Sequence, residues 1–139
     1  MRKRTKSRIW ALQALYSALI TGRDTERALR EFFDHRRVAP QNREFAVNLV
    51  RLTAANLERI DGLLESHLEN WSLQRLSVLD RIMIRLATAE FLFFEDVPPK
   101  VTIDEYLHLA HMFGTGDSPR FINGVLDAVL KGLPSACDL

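Results

Sequence analysis

Phe113-Gly-Thr-Gly-Asp-Ser-Pro-Arg-Phe-Ile-Asn-Gly-Val-Leu-Asp127 reads as the end of one helix, a short connection and the start of another. Gly114 and Gly116 suit a chain that leaves a helix through positive φ, which glycine adopts at little cost. Asp117 or Ser118 can accept the first free N–H groups of the second helix, and Pro119 fits its first turn. Ile122, Val125, Leu126 and Val129 recur at helical spacing as a buried stripe. Asn123, Gly124 and Asp127 lie opposite, with Phe121 at the border. Glycine inside a helix costs about 1 kcal/mol relative to alanine, so Gly124 predicts a close approach to the backbone.

Outward from this segment the helical period continues. Ile9, Leu12, Leu15, Tyr16, Leu19 and Ile20 make a first helix that ends before Gly22. Asp24 or Thr25 caps a second, carrying Ala28, Leu29, Phe32 and Phe33, and residues 35–40 connect it onward. A long third pattern runs through Phe45, Leu49, Leu52, Ala55, Leu57, Ile60, Leu64 and Leu68, with a bend expected near Gly62. Trp71-Ser72 opens a fourth helix to about Phe94, apolar around most of its circumference and so buried on several sides. Pro98-Pro99 stop it. Thr102-Ile-Asp-Glu105 forms a capping box for a fifth helix whose inner face is Ile103, Tyr106, Leu107, Ala110 and Phe113. The last helix covers about 119–131. The class is all-α, a bundle of about six to seven helices in two sub-bundles, the first three helices and the later ones. A single domain is expected over 1–139, with a flexible basic arm at 1–7 and a frayed tail at 133–139.

The 139 residues are 47% apolar, enough for a core, yet hold no apolar run of the length a membrane span needs. The basic start lacks the apolar stretch of a secretory signal. Cys137 is the single cysteine, so no internal disulfide forms and it makes a poor nucleophile in its tail. Cytoplasm is the expected compartment. The net charge of +1 is unevenly spread: Arg2, Lys3, Arg4, Lys6 and Arg8 supply +5 in the first eight residues and leave the rest at −4. Such an arm fits a polyanionic partner, and equally a solvated terminus.

On a helical wheel measured from Ile9, Leu12, Leu15, Leu19 and Tyr16 fill an arc from about 240° to 340°, with Gln13 near 40° and Lys6 near 60°. Tyr16 therefore sits at the edge of the core beside an amide and a cation. That combination suits stacking of an unpaired RNA base, and equally a boundary tyrosine with a wetted hydroxyl. Phe121, with Arg120, Asn123 and the helix start at Asp117, is a second aromatic candidate, alternatively a packing staple. Asp80, Ile84, Ala87 and Phe91 share one stripe of the fourth helix. It fits a partner-protein surface or a seat for the fifth helix. Glu90 projects from the centre of an apolar face, where a carboxylate needs a partner, and reads as a structural tie. Asp104, His108 and His111 share one face at i, i+4 and i+7 and could hold zinc in a metal-dependent enzyme. No fourth ligand or general base accompanies them, and no cofactor is expected.

Several motifs together resemble the NusB family of bacterial transcription antitermination factors. They are Arg8-Ile-Trp-Ala-Leu-Gln-Ala-Leu-Tyr-Ser17, Arg85-Leu-Ala-Thr-Ala-Glu90, Asp96-Val-Pro, Thr102-Ile-Asp-Glu-Tyr-Leu-His-Leu-Ala110 and the 113–127 segment, in the family's order over about residues 4–131. The resemblance implies a non-catalytic protein that binds the boxA RNA of ribosomal-operon transcripts. It would do so with the small-subunit ribosomal protein ten, within an RNA polymerase antitermination complex. It implies RNA contacts at Arg4, Lys6, Arg8, Gln13, Tyr16, Asp117, Arg120 and Phe121, and a protein partner at Asp80. Structural roles fall to Glu90, Gly114 and Gly124. Where the family carries asparagine, glutamate and lysine, this chain has Asp104, His108 and His111. The family includes monomers and dimers, so a homodimer stays open. A purely structural helical module, like the domain fused to RNA cytosine methyltransferases, is the other alternative.

Overall fold

The computed structural model describes residues 3–68 and 72–134. Seven α-helices and one 3-10 turn, and no strand, occur among them: α1 (Lys3–Thr21), α2 (Thr25–Asp34), α3 (Pro40–Ala55), α4 (Leu57–Glu65), the 3-10 turn (Leu73–Arg75), α5 (Val78–Phe93), α6 (Pro99–Phe113) and α7 (Ser118–Gly132). Arg2, Trp71 and Cys137, which figured in the sequence reading, lie outside the described residues.

The helices α1, α2 and α3 pack together, and α5, α6 and α7 form the second group. α5 joins the two groups, because α1, α3, α4, α6 and α7 all pack on it. Its sequence explains that position. Ile82, Met83, Ile84, Leu86, Ala87 and Ala89 are all buried, and no side of the helix from 82 to 90 is reserved for water. Each fully buried aliphatic of this kind is worth about 1.5–3 kcal/mol relative to exposure. The expected partner stripe is therefore corrected: Ile84 and Ala87 belong to the core. Asp80 and Phe91 at the ends of that stripe are half-buried.

Element boundaries depart from the sequence pattern at four places, each for a local reason. α1 begins by Lys3, and Thr5 and Ser7 are buried, so residues 3–7 are docked helix rather than a flexible arm. The third pattern breaks at Asn56 and not near Gly62: Asn56 leaves helical backbone at φ −117°, ψ 23°, and its amide donates to the Leu52 carbonyl at 2.9 Å. α5 starts at Val78 because Ser77 caps it, its Oγ accepting from the Asp80 N–H. α6 starts at Pro99, so Thr102 and Glu105 lie inside the helix. Pro98 ends the preceding segment, and Pro99 suits a first helical turn that lacks N–H partners.

In the 113–127 segment the four predicted stripe residues Ile122, Val125, Leu126 and Val129 are buried. Gly114 is not in the positive-φ region; its backbone is extended at φ −92°, ψ −172°. Its reason for being glycine is space, since a Cβ there would sit 2.5 Å from the Ser118 side chain and 2.8 Å from the Ala110 carbonyl. Gly116 and Gly124 have open space where a Cβ would be, which corrects the close approach expected at Gly124. Gly22 is the described glycine with positive φ, at 73°. Asp117 makes no side-chain cap, and Ser118 instead accepts from the Thr115 N–H at 2.9 Å, closing the turn from inside.

Candidate nucleic-acid interface

α1 turns a different face inward from the one its hydrophobic pattern marks. Its buried residues are Thr5, Ser7, Arg8, Ala11, Leu12 and Ala14. Their centre is rotated by roughly 60° from the apolar arc. The small side chains let α1 lie close against α3 and α5, and Arg8 fixes the rotation. Its guanidinium meets the Glu90 carboxylate through Nε at 2.9 Å and Nη2 at 2.7 Å, with side-chain exposures of 2% and 0%. Thr102 donates to Glu90 at 3.4 Å, Thr5 donates to Glu105 at 2.8 Å, and Glu105 lies 3.8 Å from Arg8. Burial alone would depress the Arg8 guanidinium, but the Glu90 hydrogen bonds and charge outweigh it and raise Arg8 above its ordinary value. Burial, reinforced by Glu90, also pushes the Tyr106 phenol well above its usual range. Glu90 is thus the tie its position required, and Arg8 is its partner rather than a residue open to RNA.

The outward face of α1 carries what remains. Tyr16 is 41% exposed, Lys6 is exposed and Gln13 half-buried. Among the described residues neither Lys6 nor Gln13 has a side-chain bond of the kind that holds Arg4, whose guanidinium pairs with Asp96 at 3.0 Å and lies 4.6 Å over the Phe45 ring. The first turns of α1 hold no acid, only cations, at the positive end of the helix dipole. That placement costs stability by about 0.3–1 kcal/mol per charge and raises the local positive potential.

Leu19 and Ile20, which the sequence pattern buries, are 47% and 59% exposed. With Leu15, Leu57 and Ile82 near the base, Leu19 borders an apolar groove of about 280 Å³ beside Arg85. The sequence missed this surface because the same residues satisfy a core pattern. Arg85 itself pairs with Asp61 at 2.8 Å and holds α5 to α4.

At the start of α7, Asp117 and Arg120 are exposed and Phe121 is half-buried against the core. Neither charged group forms an ion pair among the described residues. α7 packs mainly on α5, α6 and α4 and α1 mainly on α3, α5 and α2, with Thr5 and Arg8 also reaching Glu105 of α6, so α5 and α6 link the two clusters. Asp80 has a buried carboxylate oxygen with no hydrogen-bond partner among the described residues. Asp104, His108 and His111 are exposed along α6, and among the described residues no three His, Cys, Asp or Glu side chains converge as metal ligands.

The sequence profile of the NusB family matches residues 5–131. The transcription antitermination protein NusB of Salinibacter ruber is 39% identical over 96% of this chain and 84% of its own length. Among solved structures, T. maritima NusB superposes with a TM-score of 0.89 at 37% identity, covering 99% of this chain and 96% of that one. A crystal structure of the antitermination factors NusB and NusE in complex with dsRNA gives a TM-score of 0.86 at 28% identity, covering 96% of this chain and 99% of that one. No described helix is long and apolar enough to cross a membrane.

Proposed function

The chain belongs to the NusB family, and from that premise we propose that it is a transcription antitermination factor acting by binding, without catalysis. Its RNA partner is boxA-type single-stranded RNA of ribosomal-operon transcripts. Its protein partner is the small-subunit ribosomal protein ten, within an RNA polymerase antitermination complex in the cytoplasm. The observation that carries the reading is the outward face of α1, where an exposed Tyr16 ring follows Lys6 and Gln13 on a rigid helix. A ring of this kind takes an unstacked base while cations meet phosphates, which favours single strands over duplex. Asp117, Arg120 and Phe121 add a second contact across α5. Arg8 acts in this scheme by holding α1 in register, and Arg4 contributes once it leaves Asp96. The protein partner is assigned to the Asp80 end of α5, and it raises RNA affinity through effective concentration rather than new RNA contacts.

Fluorescence anisotropy with a labelled single-stranded boxA-type RNA tests this. With about three phosphates neutralised, log K falls against log salt with a slope of about −2. Tyr16→Ala combined with Lys6→Ala weakens binding, and unlabelled duplex competes poorly. Asp80→Lys weakens capture of the ribosomal protein while leaving RNA affinity intact. A flat salt dependence, or full affinity in the Tyr16/Lys6 double variant, refutes the proposal.

A further inference from the structure

We propose that the RNA track continues past Tyr16 along α1 into a second nucleotide subsite, formed by Lys3, Lys6 and Trp10 of α1 with Arg37 and Asn42 from across the α2–α3 connection. This inference rests on the RNA-binding reading above. The cavity between these elements has a volume of about 320 Å³, and its lining contains three cations and no acid. Ligand clefts begin at about that size. The larger cavity on the neighbouring side of α1 is different, since Glu44 and Asp96 line it and Arg4 is already paired there.

The charges in the smaller cavity are uncommitted. Among the described residues seven other cations, from Arg4 to Lys131, are engaged with carboxylates. Lys3, Lys6 and Arg37 are exposed and form no ion pair among the described residues. Bringing three unpaired cations around one hollow costs mutual repulsion, which a phosphate removes.

Trp10 supplies the base platform. Its ring is half-buried and held edge-on by Phe33, with centroids 6.0 Å apart and planes at 84°, and Phe33 is itself locked edge-on to Phe32. The indole is therefore fixed before a ligand arrives, so little side-chain entropy is lost on stacking. Asn42 lines the same wall, and its side-chain amide makes no hydrogen bond among the described residues. On the helical wheel Lys6, Trp10 and Lys3 fall near 60°, 100° and 120°, continuous with Gln13 near 40° and Tyr16 near 340°. Trp10 and Tyr16 are about 9 Å apart along the helix axis, so the two rings take different bases of one strand.

The test uses the full chain with Trp71 replaced by phenylalanine, which leaves Trp10 as the single tryptophan. Titration with a single-stranded RNA dodecamer is expected to quench Trp10 emission. In parallel, Arg37→Glu, an exposed change that does not touch the core, is expected to weaken the dodecamer about ten-fold and make the salt slope shallower by about 0.7. Unchanged Trp10 emission with an Arg37→Glu affinity equal to that of the parent overturns the subsite. If Tyr16→Ala still loses affinity in that case, the RNA reading stands without it. Absence of any RNA binding by the parent chain overturns both.

Discussion

Removing the Glu90 charge should unlatch α1 from the centre of the fold. In Glu90→Gln the shape is kept, but the Arg8 guanidinium stays in a pocket where its side chain is 2% exposed and loses the carboxylate that met it at 2.7 and 2.9 Å. Taking away one member of a buried pair costs about 3–5 kcal/mol, mainly because the other charge is left uncompensated. Glu105, 3.8 Å from Arg8 and partly solvated, offsets some of that and moves the expectation toward the lower end. Even about 3 kcal/mol is a large share of the roughly 5–15 kcal/mol stability of a domain, and lowers Tm by about 10 °C for a chain of this size. Arg8→Met combined with Glu90→Leu removes both charges and fills the space with apolar atoms. It should recover most of the loss, so the cycle of parent, two single variants and double variant is strongly non-additive. Urea unfolding at neutral pH measures the four proteins of the cycle and Glu90→Gln. A Glu90→Gln cost below about 1 kcal/mol, or additive single effects, would refute the argument that this pair sets the position of α1. The double variant should also retain RNA affinity, which an arginine in direct contact with phosphate would not allow.

Three further outcomes follow from the packing. Gly114→Ala should destabilise by about 1–3 kcal/mol, since its Cβ would meet Ser118 at 2.5 Å and backbone at 2.8 Å. Gly124→Ala, with nothing near it, should stabilise α7 by up to about 1 kcal/mol; equal effects at both sites in thermal melts would contradict the geometry. Leu12→Ala, at a position 1% exposed, should cost about 2–5 kcal/mol, whereas Leu19→Ser at 47% exposed should stay within about 0.5 kcal/mol. The reverse order would mean that the hydrophobic arc, and not the rotated face, is buried. The Tyr106 phenol is held well above 10.0 by burial. Its stabilising contribution is therefore complete below about pH 10 and is lost as pH rises toward the folded-state value, because the unfolded chain releases the proton first. Tyr106→Phe should flatten the alkaline limb of the stability–pH curve, and an unchanged limb would count against the buried phenol.

The later half of the molecule was largely legible in the sequence. The stripe Ile122, Val125, Leu126 and Val129 is the buried face of α7, because one orientation removes it from water, and the nearly all-apolar α5 is the central helix, because only enclosure on all sides does the same for it. Glu90 announced a partner from its place on an apolar face. The identity of that partner was not readable, since Arg8 is 82 residues away and looked like one more cation in a basic run. Of the proposed RNA surface, Tyr16 and Lys6 can be picked out from the sequence, whereas Trp10 and Arg37 cannot. Nothing local links a tryptophan in the first helix with an arginine in a connection.

Periodicity, caps and prolines determined that this chain is helical, where most of its helices run and which face of α7 is dry, because those choices depend on neighbours within one or two turns. The rotation of α1 was decided by tertiary structure alone. Its hydrophobic arc and its packed face differ, and one ion pair to α5 with a row of small residues against α3 outweighs the exposure of Leu19 and Ile20. That rotation leaves Lys3, Lys6, Trp10, Gln13 and Tyr16 outward along one helix. No spacing within α1 specifies it, since the charge that sets it lies on another helix.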